Sequence, residues 1–160
     1  MDPVERELER EAKIVWQSKE GIQSRILDLD RSFDKICYLL SPQRRLRDLH
    51  EEGDPDWGWY AIYGEGEIAK HAQSGQGFLH RYNSPLKVKE IANNLKALAI
   101  ESLKILFDSE LMEEQGVYKA FAYNVQPGDW QEIKSYIENF IYFYNTVAEH
   151  PNEGILILTD

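Results

Sequence analysis

The chain has 160 residues, 42% of them hydrophobic and 12% aromatic, so it can bury a core of its own and lacks the composition of a disordered protein. Its 28 acidic and 18 basic side chains give a formal charge of −10, which repels phosphate backbones and argues against nucleic acid as a partner. A surface of this charge would attract a basic protein or peptide, or would serve solubility alone.

The cysteine content and the apolar runs indicate the compartment. Cys37 is the only cysteine, so an intramolecular disulfide is impossible. The first residues, MDPVERELEREAK, lack the basic and then apolar order of a signal peptide. The longest apolar runs are far shorter than the roughly 18 residues that suggest a membrane span. We therefore expect a cytoplasmic protein that does not interact with a membrane.

The N-terminal segment is predicted to be helical. Asp2 followed by Pro3 is typical of a helix start, with a capping carboxylate and proline at the first helical position. Apolar residues then recur on one helical face, at Val4, Leu8, Ala12 and Val15. The pattern predicts an acidic, amphipathic helical segment within residues 1–26.

A second helix is predicted immediately before Pro42. Its apolar residues follow the spacing of a buried helical stripe, at Phe33, Ile36, Cys37 and Leu40. Cys37 is thereby expected to be a small core residue with an ordinary thiol. Beyond Pro42, bases are followed by acids whose charges should largely cancel: Arg44, Arg45 and Arg47, then Glu51, Glu52, Asp54 and Asp56.

The middle of the chain contains a predicted strand and an apparent nucleotide motif. Residues 59–63, WYAIY, are predicted to form a short strand because aromatic and branched side chains favour sheets. The following GEGEIA has the glycine spacing of a dinucleotide-binding turn. However, Glu65 and Glu67 would place negative charge against a pyrophosphate, so no cofactor is expected.

The second half of the chain has stronger helical patterns. Ser84 and Pro85 predict the start of a helix, whose buried face is formed by Val88, Ile91, Leu95 and Leu98. Residues 101–107 should be helical as well. A long core helix is expected to begin at an acidic capping pair, Asp129 and Glu132, and to bury Trp130, Ile133, Ile137, Phe140, Tyr144 and Val147.

The C-terminal GILILT is continuously apolar and is predicted to be a short buried strand. Successive helices with a few short strands, and no linker between them, indicate an α+β fold in a single compact domain spanning residues 1–160. The domain is expected to be predominantly helical.

A closed metal site is not expected. The four histidines, His50, His71, His80 and His150, show no pairing one helical turn apart, and a single cysteine cannot build a zinc cluster. No serine stands in a nucleophile-elbow context, so no catalytic triad is predicted. We accordingly favour binding over catalysis.

Two binding surfaces are predicted. The first is acidic and aromatic, and it would engage a basic protein or peptide through Asp54, Asp56, Trp57, Trp59 and Tyr60. The second would hold an anionic group of a substrate or small ligand through Arg81, aided by His80, Tyr82 and the amides of the helix that Ser84 caps. Alternatively, Arg81 would form an ordinary ion pair at a strand end.

Four blocks of the sequence carry a family resemblance: LDLDRSFDKICYLL, RYNSPLKVKEIANNL, FDSELMEEQGVY and YIENFIYFYNTVAEHPNEGILIL. Their order and spacing resemble those of the YfbM-like family, bacterial proteins of unknown function. The individual matches are Asp30, Leu39, Leu40, Arg81, Tyr82 and Pro85. The chain departs from the family pattern at Phe33 and Asp34, where Trp-His is usual, and at Cys37, where a second histidine commonly follows. The resemblance implies a compact cytoplasmic α+β domain and no particular reaction.

Overall fold

The computed structural model describes residues 12–17, 24–45, 55–68 and 79–159. These residues contain five strands: β1 (Ala12–Gln17), β2 (Ser24–Asp30), β3 (Gly66–Glu67), β4 (Leu79–Asn83) and β5 (Ile155–Thr159). The strands form one sheet in the order β2-β1-β5-β4-β3, and all neighbouring pairs are antiparallel. The C-terminal strand thus lies at the centre of the sheet.

The described residues also form six α-helices: α1 (Phe33–Leu40), α2 (Pro42–Arg45), α3 (Trp57–Tyr63), α4 (Pro85–Lys96), α5 (Ser109–Glu114) and α6 (Asp129–Ala148). Two 3₁₀ helices, at Ile100–Leu106 and Ala122–Asn124, connect them. The α+β class expected from the sequence is confirmed. None of the described helices combines the length and apolar character needed to cross a membrane.

The core lies between the sheet and the helices. Ile14 and Trp16 of β1 are fully buried, as is Ile157 at the centre of the sheet. The longest helix, α6, packs against α4 and β2. Its predicted stripe is confirmed, because all six of its members are buried in one cluster: Trp130, Ile133, Ile137, Phe140, Tyr144 and Val147.

The helical prediction for the N-terminal segment is wrong where the structure describes it. Residues 12–17 and 24–26 belong to β1 and β2. In β1 the buried residues Ala12, Ile14 and Trp16 alternate with more exposed neighbours, a period of two that places one face on the core. The predicted helix start at Asp2 and Pro3 lies outside the described residues.

The strand predicted at residues 59–63 is also wrong, because these residues form most of α3. The Asp56 carboxylate accepts a hydrogen bond from the Trp59 backbone N–H at 3.0 Å and caps the helix. Gly58 then allows α3 to approach α1 closely, since a Cβ at Gly58 would lie 2.5 Å from the Leu40 carbonyl oxygen. Capping and packing therefore override the strand preference of the aromatic residues.

The remaining helix predictions are confirmed in part: Leu98, predicted on the buried face of α4, lies beyond the end of that helix at Lys96 and is only partly buried. Ser84 caps α4 as expected, since its Oγ accepts from the Lys87 N–H at 3.3 Å. Residues predicted as helical near Glu101 form the 3₁₀ helix Ile100–Leu106. Gly128 occupies the capping position of α6 and provides no side-chain cap. The Asp129 carboxylate instead accepts a hydrogen bond from the Gln126 N–H at 2.8 Å. The predicted acidic capping pair is therefore not formed.

Candidate functional site

A cleft opens where the turn between β2 and α1, the loop after α5 and the first turn of α6 meet. It has a volume of about 280 Å³, and an adjoining cavity of about 140 Å³ extends it toward α5. Both cavities are lined by Lys35, Phe107, Lys119, Phe121, Asn124 and Asp129. We call this site the Lys35–Lys119 cleft.

Two strained backbone positions line the cleft. Asp30 and Lys119 have φ values of 46° and 58°, and they are the non-glycine residues with positive φ in the described chain. Both border the 280 Å³ cavity. Such conformations cost about 1–3 kcal/mol each and cluster at binding sites, where the surrounding structure holds them in place. Their coincidence in one cavity marks the cleft as a candidate site.

Positive charge predominates in the smaller cavity, whose charged lining residues are Lys35, Lys119 and Asp129. Lys35 and Lys119 line both cavities, and within the described part of the chain neither forms an ion pair with a carboxylate. The Lys119 ammonium lies 5.7 Å from the centre of the Tyr118 ring and 5.8 Å from that of Phe121. Cation–π attraction thus holds Lys119 between two aromatic rings.

The larger cavity adds two carboxylates to the cleft. Asp30 and Glu132 border the larger cavity together with Arg31. Burial raises the pKa of the nearby Tyr136 phenol, and the negative charges of Asp30, Glu132 and Asp28 raise it further. The cleft therefore combines two ammonium groups and one guanidinium group with three carboxylates.

Phe121, which lines both cavities, belongs to an exposed aromatic pair beside the cleft. Phe121 is 39% exposed and Tyr123 is 82% exposed, and their rings stack with centres 5.4 Å apart. Val125, two residues further along, is also exposed. Tyrosine and phenylalanine provide a large contact area with few rotatable bonds, which suits them to recognition.

A buried ion pair behind the cleft fixes one of its walls. The Asp34 carboxylate accepts from Arg44 Nε at 2.8 Å and from Nη2 at 2.9 Å. It also accepts from the Tyr118 backbone N–H at 2.9 Å and from the Tyr63 hydroxyl at 3.2 Å. Arg44 donates in addition to the carbonyl oxygen of Gln115. This network ties α1, α2 and α3 to the loop that carries Lys119.

The electrostatic balance keeps Asp34 charged. Burial raises its pKa, but the hydrogen bonds and charge of Arg44 and the Tyr118 N–H together outweigh burial, so the pKa lies below its ordinary value. Burial also raises the pKa of Cys37 one turn later, which fits the predicted core thiol. Asp34 is thus a structural anchor with all of its acceptors engaged.

The sequence did not predict an ion pair between Asp34 and Arg44. Arg44 was expected to be part of a run of charges that cancel, whereas only 4% of its side chain is exposed. Asp34 stood out only as a departure from the family pattern. The available signal was a carboxylate, Asp34, on the apolar side of a predicted helix. An arginine, Arg44, then follows two residues after Pro42.

The four residues predicted to bind an anion do not converge on one site. Arg81 pairs with Glu67 at 2.8 Å and donates to the carbonyl oxygens of Tyr63 and Gly64, so it fastens the turn after α3. Tyr82 points to the opposite face of the sheet, where its ring lies over Gly66. His80 is partly buried on β4 and interacts with another part of the protein.

Ser84 and Tyr82 do line a common groove on the far face of the sheet. This open groove, of about 500 Å³, is mostly apolar and also contacts Val15, Pro85 and Leu156. At the start of α4, the Glu65 carboxylate accepts from the Ser84 N–H at 2.9 Å. A negative charge therefore already occupies the helix end at which an anion was predicted to bind.

The predicted acidic and aromatic surface is largely used in packing. Both oxygens of Asp56 accept backbone N–H groups, from Trp59 and Gln43. The three aromatic residues, Trp57, Trp59 and Tyr60, are partly buried against the core. Asp54 lies outside the described residues. Among the described residues, no cluster of three His, Cys, Asp or Glu side chains could hold a metal ion.

Comparison with known proteins supports the fold and the family. The crystal structure of YfbM from Escherichia coli, a protein of unknown function, aligns with a TM-score of 0.68 and 14% sequence identity. The alignment covers 94% of this chain and 99% of that structure. No curated protein matches the chain. Residues 2–157 match the family described as a domain of unknown function, DUF1877. The chain belongs to this family.

Proposed function

We propose that the protein is a binding domain whose ligand site is the Lys35–Lys119 cleft. The observation that supports this most directly is the exposed, stacked pair of Phe121 and Tyr123 beside a cavity of about 280 Å³. Aromatic surface left in water beside a cavity is stabilised when a ligand covers it.

The cleft is held in shape before any ligand arrives. The loop that carries Lys119 is fixed at one end by the Tyr118 N–H on Asp34. At the other end, the Ala122 N–H donates to the Glu113 carboxylate at 3.2 Å. Preorganisation of this kind increases affinity because little conformational entropy is lost on binding.

The volume of the cleft limits what it can accept. Small-molecule sites usually occupy roughly 300–1,000 Å³, so this cleft lies near the lower end of that range. It suits a small metabolite or a single side chain or chain end of a partner protein. The basic partner predicted at Asp54, Asp56, Trp57, Trp59 and Tyr60 remains a separate prediction, since the four of these residues that the structure describes already serve packing.

A ligand-observed NMR screen tests the proposal, using mixtures of neutral, cationic and anionic metabolites and short peptides. Asn124→Trp should fill the cleft, because Asn124 lines both of its cavities. Asn139→Trp is the matched control, since Asn139 is exposed on α6 away from the cleft. We expect at least one compound to bind the wild type and Asn139→Trp equally and to lose affinity for Asn124→Trp. Binding that Asn124→Trp leaves unchanged, or no binding at all, would contradict the proposal.

A further inference from the structure

We infer that the Lys35–Lys119 cleft holds its ligand by an anionic group, a phosphate or a carboxylate, placed between the two lysine ammonium groups. The inference rests on the proposed function and adds the chemical class of the ligand. It moves anion recognition from Arg81, which is engaged in three interactions within the chain, to Lys35 and Lys119.

The positions of the two lysines follow from a single hydrogen bond. Lys35 directly follows Asp34 on α1, and Lys119 directly follows Tyr118 in the loop after α5. The Tyr118 N–H donates to Asp34 Oδ2 at 2.9 Å, so the two lysine-bearing segments are joined at the residues just before the lysines. Residues 84 positions apart in the sequence are thus brought to one cavity by a buried, fully bonded carboxylate.

The two lysines of the cleft are half-buried, whereas the other described lysines without an ion pair, Lys89, Lys96 and Lys104, are exposed. Five described basic side chains form ion pairs with carboxylates: Lys13, Arg44, Arg81, Lys87 and Lys134. Lys35 and Lys119 do not, although the protein carries an excess of acidic residues. Two like charges that share a cavity repel each other, and an anion between them would remove that repulsion.

The other groups in the cleft define the rest of the ligand. Asn124 and Gln126 line the smaller cavity and can donate hydrogen bonds to the same anion. Asp129 lines both cavities as well; its carboxylate accepts the Gln126 N–H, and its formal negative charge offsets one of the two ammonium charges. Since Asp30 and Glu132 border the larger cavity, the part of the ligand that lies near them should be neutral or positively charged.

The test is an amide NMR titration of the ¹⁵N-labelled full chain with inorganic phosphate and, separately, with succinate. We expect saturable shifts in residues 33–35 and 117–121. Lys35→Gln/Lys119→Gln should weaken binding at least about tenfold, as expected for the loss of a charge-assisted hydrogen bond. Lys89→Gln/Lys96→Gln, two exposed lysines on α4, is the matched control and should bind as the wild type does.

The outcomes separate this inference from the proposed function. Binding of phosphate alone assigns a phosphorylated ligand, and binding of succinate alone assigns a carboxylic acid. If neither anion shifts these amides, or if the double variant binds as tightly as the wild type, the inference is overturned. The proposed function would still stand in that case if a neutral or cationic compound bound the wild type and was blocked by Asn124→Trp.

Discussion

Replacing Asp34 with asparagine should destabilise the protein strongly. The substitution keeps the shape of the side chain but removes the charge that compensates Arg44, whose side chain is only 4% exposed. Arg44 cannot lose its proton in response, so a buried cation is left without a counter-charge. The loop that carries Lys119 should also loosen, because the Tyr118 N–H loses a charged acceptor.

The expected magnitude follows from the burial of the pair. Breaking a buried ion pair by removing one partner costs about 3–5 kcal/mol. A chain of this length has a total stability of roughly 5–15 kcal/mol, so the loss is a large fraction of it. With an m-value of about 2 kcal/mol/M, the urea midpoint should fall by about 2 M.

Urea unfolding followed by circular dichroism at pH 7 measures this loss. The matched control is Glu90→Gln, the same carboxylate-to-amide change in the exposed pair with Lys87, which should change stability by about 0.5 kcal/mol or less. Asp34→Leu/Arg44→Met removes both charges and should be more stable than Asp34→Asn. A loss below about 1 kcal/mol for Asp34→Asn, close to that of an exposed pair, would refute the reasoning.

The same pair predicts a pH dependence. The native pKa of Asp34 lies below its ordinary value of 3.8, so the unfolded chain takes up this proton first as the pH falls. The stability contributed by the charged carboxylate is therefore fully present well above pH 3.8 and is lost as the pH falls through the lower native pKa. The difference in urea midpoint between wild type and Asp34→Asn should shrink over that acidic range. A difference that grew on acidification would contradict the assignment.

Three further substitutions test the packing and the role of Arg81. Gly58→Ala should lower the thermal midpoint, because a Cβ there would lie 2.5 Å from a backbone oxygen of α1. Gly128→Ala is the control and should not lower it, because a Cβ there meets nothing within 4 Å. Tyr144→Phe removes a buried hydroxyl that donates to a carbonyl oxygen of α3, and should cost about 1–3 kcal/mol in urea unfolding. Tyr142→Phe, at an exposed position, should change stability little. Arg81→Ala should lower stability yet leave ligand binding at the Lys35–Lys119 cleft unchanged in the NMR titration.

The elements that the sequence predicts correctly are those in which one local pattern decides the structure. The stripe from Trp130 to Val147 follows a helical period over five turns, and Ser84 with Pro85 defines a helix start without tertiary help. β1 was misassigned because its apolar residues fit a helical face when combined with those before it. The period of two at Ala12, Ile14 and Trp16 was present and was the better signal.

The candidate site could not be predicted because its parts come from two distant regions of the chain, residues 30–35 and residues 107–133. Asp34 and Tyr118 are separated by 84 positions, and nothing in the local sequence of either indicates the contact between them. Arg81 was a reasonable prediction for an anion site. Whether its side chain is available to a ligand depends on hydrogen bonds to the carbonyl oxygens of Tyr63 and Gly64, which only the fold brings near it. Glu65 likewise reaches the start of α4 through the pairing of β3 with β4.

The most direct test of the central claim is an amide chemical-shift map of the wild type with the tightest ligand from the NMR screen. We expect the shifted residues to lie around the Lys35–Lys119 cleft, within residues 30–35, 117–126 and 129–133. A map centred on Arg81 and Tyr82, or on the groove on the far face of the sheet, would contradict it.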